Sequence, residues 1–177
     1  MNLEQVILVD EQDQEIGTEE KLKAHQQGLL HRAFSVFIFQ KVQNQIYFLL
    51  QQRHLDKYHC GGLWTNTCCS HPRPGESIEN GAERRLNEEM SIKTALKLVG
   101  AFCYKANFEN GLTEHEYDHV LIGAYDASSQ ICVNPKEVSD YRWMTQDEIE
   151  RDLSENTHLY TPWFKPAWEI ALLSLKK

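Results

Sequence analysis

The sequence lacks the features of membrane, exported and repetitive proteins. No apolar run approaches the roughly 20 residues that a membrane-spanning helix requires. The first ten residues lack the basic start and the long apolar stretch of a signal peptide. Internal repeats, low-complexity tracts and proline- or serine-rich linkers are also missing. We therefore expect no membrane partner and a cytoplasmic protein whose 177 residues form one domain, residues 1–177, around one core.

Positive charge is scarce in this chain. Its 18 lysine and arginine residues face 26 aspartate and glutamate residues, which leaves a formal net charge of −8. This balance argues against nucleic acid as a partner, because a phosphate backbone attracts basic proteins. A small anionic substrate remains compatible with the charge if basic side chains converge locally. We expect a monomer or a weak homodimer.

The cysteine count also limits the class of protein. Five cysteines cannot all pair within one chain, and Cys68 and Cys69 are adjacent. Reduced thiols in a cytoplasm are the simplest interpretation, so cysteine, histidine and carboxylate side chains become candidates for ligands and catalysts.

Apolar periodicity and turn residues predict strands mixed with a few helices, that is, a layered α/β or α+β domain. Strands are predicted at residues 6–9, 33–40, 46–52, 64–71, 99–106 and 117–126. Helices are predicted near residues 21–25 behind a cap at Thr18, from Ser77 to about 89, from a cap at Thr145 to 153, and at 166–175. Asn44 and the segment 109–111 suit turns.

Charged residues form two candidate sets. One comprises cations that are distant in sequence and suit a diphosphate if they converge, although spacing alone favours solvated surface: Lys21, Arg53, Lys57 and Arg85. The other comprises carboxylates on one face of the predicted helix that starts near Ser77, and it suits either Mg²⁺ or an exposed acidic surface: Glu76, Glu79 and Glu83.

Histidines and glutamates supply ligand types that suit Zn²⁺, Mn²⁺ or Fe²⁺. The candidates are His25, His31, His71, Glu114 and Glu116. Glu114 and Glu116 are two residues apart, so a strand would point both carboxylates to one face. Spacing alone is weak evidence, since a lone histidine is usually exposed or hydrogen-bonded. We interpret the remaining histidines in that way: His54, His59, His115, His119 and His158.

The adjacent cysteines have different expected environments. On a strand, Cys69 shares one face with His71, while Cys68 points to the other face. This alternation makes Cys69 the candidate for a functional thiol and Cys68 a packing residue, although plain packing is the usual role of any buried cysteine.

Two motifs then resemble those of a known family. Residues 64–72, WTNTCCSHP, closely resemble the cysteine motif of the type I isopentenyl-diphosphate isomerases. Residues 113–117, TEHEY, resemble that family's Glu-x-Glu motif, and the likeness extends from about Val6 to about Trp168. That family has the Nudix fold, so the resemblance implies a mixed β-sheet sandwiched between helices.

The box of residues that marks the Nudix fold is degenerate here. Matching positions are Glu76, Arg84, Leu86, Glu88, Glu89 and Ile92. Ser70 and Ser91 replace glycines, and Arg85 replaces the glutamate that follows the box arginine. Hydrolases of this fold usually need that carboxylate for metal-bound water chemistry, so Arg85 favours holding a diphosphate over cleaving it. A Nudix hydrolase of a nucleoside-diphosphate derivative and a non-catalytic metal- or diphosphate-binding module remain the alternatives.

The resemblance implies a reaction as well as a fold. It implies that isopentenyl diphosphate and dimethylallyl diphosphate are interconverted through a tertiary carbocation, in isoprenoid biosynthesis. It assigns Glu116 and Tyr104 to the acid side and Cys69 to the base side. Whether Glu116 or Tyr104 delivers the proton is left open.

The resemblance also implies metal and substrate sites. Zn²⁺ or Mn²⁺ would be held by His25, His31, His71, Glu114 and Glu116. Mg²⁺ would accompany the substrate diphosphate near Glu89 and the carbonyl of Cys69. Phosphates would be bound by Lys21, Arg53, Lys57 and Arg85, and the ring of Trp163 would stabilise the carbocation. The N-terminal segment, residues 1–32, would thus contribute both metal and phosphate ligands.

Overall fold

The structure is a computed structural model that describes residues 4–176. Its strands are β1 Gln5–Val9, β2 Glu15–Glu20, β3 His31–Val42, β4 Gln45–Arg53, β5 Trp64–Thr65, β6 Cys68–Ser70, β7 Lys97–Asn107, β8 Thr113–Ala124 and β9 Val138–Thr145. Its α-helices are α1 Lys21–Gln27, α2 Ile78–Met90, α3 Gln146–Asn156 and α4 Phe164–Leu175, with a 3₁₀ turn at Thr157–Leu159. None of the helices in the described part of the chain is long and apolar enough to cross a membrane.

The strands form one connected mixed sheet. The path β2-β1-β3-β4-β5 is joined by β9 beside β4, by β6 beside β3 and by β7 beside β8. Strand β8 pairs with β3 in parallel, whereas β7 pairs with β8 antiparallel. Strand β8 therefore lies between β3 and β7, and its side chains meet those of both neighbours.

Helices cover both faces of the sheet. On one face Leu86 of α2 packs with Phe34 and Ile38 of β3. On the other face Trp168 of α4 packs with Phe37 of β3 and with Phe48 of β4. Strand β3 reads as a nearly continuous apolar run because both of its faces are buried. This arrangement confirms the expected mixed sheet sandwiched between helices.

Most predicted elements are present, and the predicted helix start at Ser77 and the predicted cap at Thr145 are confirmed. The side chain of Ser77 accepts a hydrogen bond from the backbone N–H of Asn80 at the start of α2. Thr145 and Glu148 form a reciprocal capping box at the start of α3. Strand β9 has no counterpart among the predicted strands, because four of its residues are partly or fully exposed polar groups that carry little apolar periodicity.

Two local predictions were wrong. Thr18 does not cap α1, because it lies in β2 opposite Ile7, and α1 begins at Lys21 without a side-chain cap. The predicted strand 64–71 is broken into β5 and β6. The break contains Asn66 and Thr67, whose side chains hydrogen-bond to the backbone carbonyls of Cys68 and Leu49 and so replace regular ladder bonds.

Candidate active site

The register of the sheet assembles the acidic part of the site. Alternation along β8 turns Glu114 and Glu116 to the same face, and both are buried. Glu116 stands opposite His31 on β3 and opposite Tyr104 on β7. Residues that are far apart in sequence therefore meet at one carboxylate because β8 has a partner on each side.

The five predicted ligands converge into one buried cluster. Their ligand atoms all lie within 4.8 Å of one another: His25, His31, His71, Glu114 and Glu116. Nε2 of His31 lies 3.2 Å from Nε2 of His71, which lies 2.8 Å from Oε1 of Glu116. Nε2 of His25 lies 3.1 Å from Oε1 of Glu114. Elements α1, β3 and β8 and the end of β6 thus contribute to one centre.

The chemistry of this cluster fits a cation. Nδ1 of His25 faces the carbonyl of Lys21 at 2.6 Å, and Nδ1 of His31 faces that of Leu29 at 2.8 Å, so both Nδ1 atoms must donate. In its neutral form, each ring would turn a lone pair from Nε2 toward carboxylate oxygens. Oε2 of Glu114 is buried without a hydrogen-bond partner. Acceptors that face acceptors need protons or one cation between them, and metal binding displaces such protons. The cluster can therefore hold a metal ion.

Burial and hydrogen bonding set the protonation of the cluster in opposite directions. Burial lowers the pKa of His71 to about 4, so this ring is neutral near pH 7 and can offer a lone pair. Burial raises the pKa of Glu114, but the neighbouring imidazoles of His25 and His59 outweigh it and hold that pKa well below its usual range. Burial and the charge of Glu114 raise the pKa of Glu116. The neighbouring His31 and His71 have the larger, opposite effect, so the pKa of Glu116 lies below its usual value.

Tyr104 forms a hydrogen bond to Glu116. Its hydroxyl donates to Oε2 of Glu116 at 2.5 Å. Burial and the negative charge of Glu116 raise the pKa of Tyr104 well above its usual range, so the phenol keeps its proton. Glu116 lines the central cleft, while the ring of Tyr104 lies 6.1 Å from that of Trp163.

The two adjacent cysteines occupy the environments expected from alternation. Cys68 is fully buried in the core, and Cys69 is half-buried and lines the cleft. Nη1 of Arg53 lies 3.4 Å from Sγ of Cys69. Burial raises the pKa of Cys69 to about 12, and the Arg53 cation opposes this rise. The resting group is therefore a thiol, and its thiolate would have a cation beside it.

The four predicted phosphate-binding cations line the same cleft: Lys21, Arg53, Lys57 and Arg85. Three of them pair with carboxylates: Lys21 with Glu4, and Lys57 and Arg85 both with Glu137. No described carboxylate pairs with Arg53, and its buried Nε has no partner. A convergence of cations on an acidic chain marks the cleft as an anion-binding site.

Arg85 forms ion pairs with the two box carboxylates of α2. Its guanidinium donates to Glu88 at 2.9 Å and to Glu89 at 2.5 Å. Glu89 also accepts from Gln51 at 2.8 Å, so both of its oxygens are engaged. Ser91, which replaces the last box glycine, has φ 57° and caps α2 in the left-handed conformation that glycine favours.

The carboxylates predicted to share one face of α2 and the loop before it have different partners in the structure. Glu76 accepts two hydrogen bonds from Arg84, at 2.8 and 2.9 Å, and one from the backbone N–H of Arg73 at 2.9 Å. Glu79 is half-buried and Glu83 is exposed. The three carboxylates therefore have different surroundings, and Glu76 forms a bidentate ion pair with Arg84.

Trp163 lies where α4 begins and forms part of the cleft wall. It is 3% exposed, its indole Nε1 has no partner among the described residues, and Arg53 lies 5.4 Å from its ring centroid. An aromatic face that already attracts one cation suits another positive charge in the cleft.

The sequence predicted no site role for His59, yet this residue lines the cleft. It is buried and its Nε2 contacts Oε1 of Glu114. The neighbouring Tyr58 places its hydroxyl 3.3 Å from Nε2 of His25. The segment 54–63 that carries both has no regular periodicity, so the sequence held no signal that would have placed them here. Glu137, the partner of Lys57 and Arg85, was missed for the same reason.

Comparisons of the sequence identify relatives over nearly the whole chain. A family model described as a NUDIX domain matches residues 29–164. The chain is 49% identical over 174 residues to a Photobacterium profundum protein named isopentenyl-diphosphate Delta-isomerase, covering 97% of this chain and 96% of the relative. It is 45% identical over 176 residues to an Aliivibrio fischeri protein of the same name, covering 97% of each.

Solved structures support the fold. The MutT protein from Methanosarcina mazei aligns with a TM-score of 0.65 and 19% identity, over 84% of this chain and 96% of that one. A Nudix hydrolase from M. smegmatis aligns with a TM-score of 0.60 and 16% identity, over 96% and 93%. At these identities the likeness concerns the fold alone.

Proposed function

The chain belongs to the NUDIX domain family and, within it, to the isopentenyl-diphosphate Delta-isomerases, and we propose that it interconverts isopentenyl diphosphate and dimethylallyl diphosphate. The observation that carries this proposal is the composition of one cleft. Cys69 and Glu116 line it together with the four cations and the ring of Trp163. An acid, a base, a diphosphate site and a carbocation site are the parts that the reaction needs.

The protonation states of the resting groups indicate how the reaction runs. Adding a proton to the terminal alkene carbon requires an acid, and removing one from C2 requires a base. The form ready for isopentenyl diphosphate therefore carries a proton on Glu116 and a thiolate at Cys69. The opposite form, with a thiol and a carboxylate, is ready for the reverse reaction. Each forward turnover converts the first form into the second, so Cys69 must lose a proton and Glu116 must gain one, by exchange with solvent, before the next turnover.

Glu116 is the better proton donor of the acid pair. If Tyr104 donated while Glu116 was ionised, its phenolate would stand 2.5 Å from a carboxylate oxygen, which charge repulsion opposes. A proton that passes from Glu116 to the alkene leaves the Tyr104 hydrogen bond to stabilise the new carboxylate. We assign Tyr104 the role of orienting Glu116 and returning a proton to it. We assign Cys69 to the base side, where Arg53 favours its thiolate.

The metal assignments follow from ligand type. The cluster of three histidines and two glutamates suits Zn²⁺ or Mn²⁺, which would hold Glu116 in place and withdraw charge from it. Mg²⁺ would accompany the diphosphate near Glu89 and the Cys69 carbonyl. Both oxygens of Glu89 are engaged in the resting form, so we propose that Arg85 turns from Glu89 to the phosphates on substrate binding.

The same contacts disfavour hydrolysis. In a hydrolase of this fold, box carboxylates would be free for metal-bound water chemistry, whereas Arg85 here pairs with Glu88 and Glu89. Lys21, Lys57 and Arg53 complete the proposed phosphate site. We further propose that residues 1–177 act as one unit in which segment 1–32 supplies Lys21, His25 and His31.

We propose that this enzyme works as a monomer or weak homodimer in a reducing cytoplasm. All five cysteines are free thiols: Cys60, Cys68, Cys69, Cys103 and Cys132. A small-molecule diphosphate is its proposed partner.

The test is conversion of isopentenyl diphosphate with Mg²⁺ in D₂O, followed by ¹H and ³¹P NMR. We expect dimethylallyl diphosphate with deuterium in a methyl group and an intact diphosphate. Release of phosphate would instead identify a hydrolase. No change after addition of Zn²⁺ or Mn²⁺ and a thiol reductant would contradict the proposal.

A further inference from the structure

His59 is held in one orientation by aromatic neighbours. It lies between β4 and β5 and is 6% exposed. Phe108 stacks on its ring with centroids 4.8 Å apart and planes within 5° of parallel. Tyr58 meets it edge-on at 4.5 Å, and Trp163 at 6.0 Å. A hydrogen bond from Arg53 to the His59 carbonyl, 3.3 Å long, ties the backbone as well.

Packing does not account for a histidine at this position. Both ring nitrogens of His59 are buried: Nδ1 has no partner among the described residues, and Nε2 contacts Oε1 of Glu114 without an aligned hydrogen bond. Burying unsatisfied polar atoms costs free energy, and a phenylalanine would fill the same space without that cost. The contact with Glu114 is therefore what a histidine supplies here and a phenylalanine would not.

The group next to the ring is a proposed metal ligand. Nε2 of His59 contacts Oε1 of Glu114, which also lies 3.1 Å from Nε2 of His25. The other oxygen, Oε2, has no hydrogen-bond partner and faces Nε2 of His31 at 3.7 Å. The two oxygens thus have different surroundings: Oε1 faces His59, and Oε2 faces the centre of the cluster.

Only a ring with a spare N–H can hold Oε1. His25 cannot do so as a neutral ligand, because its Nδ1 donates to the carbonyl of Lys21 and its Nε2 carries the lone pair for the ion. His59 has no described carbonyl on either nitrogen, so its N–H is available to Glu114.

We infer that His59 is a positioning residue that donates its Nε2 hydrogen to Oε1 of Glu114 when the cluster holds its ion, and so directs Oε2 to that ion. Hydrogen bonds to ligating groups fix ligand orientation, and their loss typically weakens metal binding about 10- to 100-fold. The inference rests on the proposed metal site of the isomerase and assigns it a further residue.

The first experiment measures metal affinity directly. Protein stripped of metal is titrated with Zn²⁺ and with Mn²⁺ in competition with a chromophoric chelator. We expect His59→Phe, which keeps the ring and removes its N–H, to bind about 10- to 100-fold more weakly. His59→Gln, whose amide N–H reaches close to the position of Nε2, should restore most of the affinity. His54→Phe, on the same segment but outside the cluster, is the matched control.

Each outcome decides the inference. Weak binding by His59→Phe with rescue by His59→Gln supports it. Unchanged affinity in His59→Phe, or equal losses in both variants, would overturn it, since a packing role or direct ligation would then explain the residue. Wild-type protein that binds neither ion would overturn both this inference and the proposed metal site. If the affinities support the role of His59 but the wild-type protein does not isomerise the substrate, the proposed function alone would be contradicted.

A second measurement needs no variant and covers the case in which His59→Phe fails to fold. Long-range ¹H–¹⁵N NMR of the zinc-loaded wild-type protein reports the tautomer of each imidazole. We expect His59 with hydrogen on Nε2, and His25 and His31 with hydrogen on Nδ1. Hydrogen on Nδ1 of His59 would overturn the inference.

Discussion

Side chains in the cleft derive their chemistry from burial combined with one or two specific neighbours. Burial alone would make Cys69 a plain thiol, and Arg53 at 3.4 Å is what favours its ionised form. Glu116 is buried too, and its histidine neighbours keep its pKa low. The two groups therefore respond differently to burial because they have different neighbours.

Cys69→Ala tests the base at the residue scale. Removing the proposed base should lower the isomerisation rate by about 10²- to 10⁴-fold, the usual contribution of acid–base catalysis. Binding of a diphosphate analogue should be retained, because the four cations are untouched. Coupled assays of turnover and calorimetric binding measure the two effects, and Cys103→Ala, an exposed thiol, is the control. Full isomerisation activity in Cys69→Ala would remove Cys69 from the base side of the reaction.

Tyr104→Phe tests the hydroxyl behind Glu116. Loss of the 2.5 Å hydrogen bond should lower kcat by about 10²-fold or more with little change in KM, because the hydroxyl does not line the phosphate site. Tyr117→Phe, on the other face of β8, is the matched control. Equal kinetics for the two variants would remove Tyr104 from the mechanism.

At the scale of elements, β8 and α2 determine where chemistry is placed. Strand β8 presents Glu114 and Glu116 between two neighbouring strands, and helix α2 presents Arg85 and Glu89 beside β6. The loop before α2 is held by Glu76, whose carboxylate joins Arg84 and the backbone of Arg73. Positions on rigid elements are better defined than positions on loops, which suits a site that must exclude water from a carbocation.

Glu76→Gln tests this anchor by its pH dependence. The Arg84 hydrogen bonds hold the pKa of Glu76 below its usual 4.5, so the carboxylate stabilises the folded state above that value. Its contribution is lost as the pH falls through the lowered, folded-state pKa. We expect the substitution to cost about 1 kcal/mol at pH 7, because the pair is partly solvent-screened, and to cost progressively less in acid.

Urea unfolding at a series of pH values measures the effect of Glu76→Gln. Glu83→Gln, at an exposed position of the same helix, is the control and should change stability little at any pH. A destabilisation by Glu76→Gln that stays constant down to pH 3 would show that the ion pair is not the cause.

At the scale of the whole molecule, the proposed ion joins parts of the chain that are distant in sequence. His25 and His31 belong to the N-terminal segment, His71 follows β6, and Glu114 and Glu116 belong to β8. Binding of the ion should therefore stabilise the fold as well as arrange the catalytic groups.

Removal of the metal tests this coupling. Chelation should lower Tm and should increase proteolysis and hydrogen exchange in residues 4–32, because two ligands of that segment lose their common partner. A ligand present at 100 times its Kd contributes about 2.7 kcal/mol to stability. His71→Ala should lose most of the metal-dependent shift, while His158→Ala, at an exposed position, should keep it. Identical protection of residues 4–32 with and without metal would contradict the coupling.

The sequence by itself determined the fold class, the family and the character of the two cysteines. Motifs such as residues 64–72 are local, and a side-chain period of two on a strand assigns Cys68 to the core and Cys69 to the cleft without knowledge of the rest of the chain. Capping residues such as Ser77 and Thr145 act within one turn of a helix, so α2 and α3 were also predictable.

Only the tertiary structure decided how these residues meet and which others join them. Pairing of β8 with both β3 and β7 brings His31 and Tyr104 to Glu116, and strand order is a property of long-range packing that no local pattern encodes. His59 and Glu137 lie on irregular segments, and their roles depend on contacts with Glu114 and Arg85 that exist only after the sheet has formed. Protonation was decided at the same level, because burial and neighbouring charges, rather than residue type, set the pKa of each group.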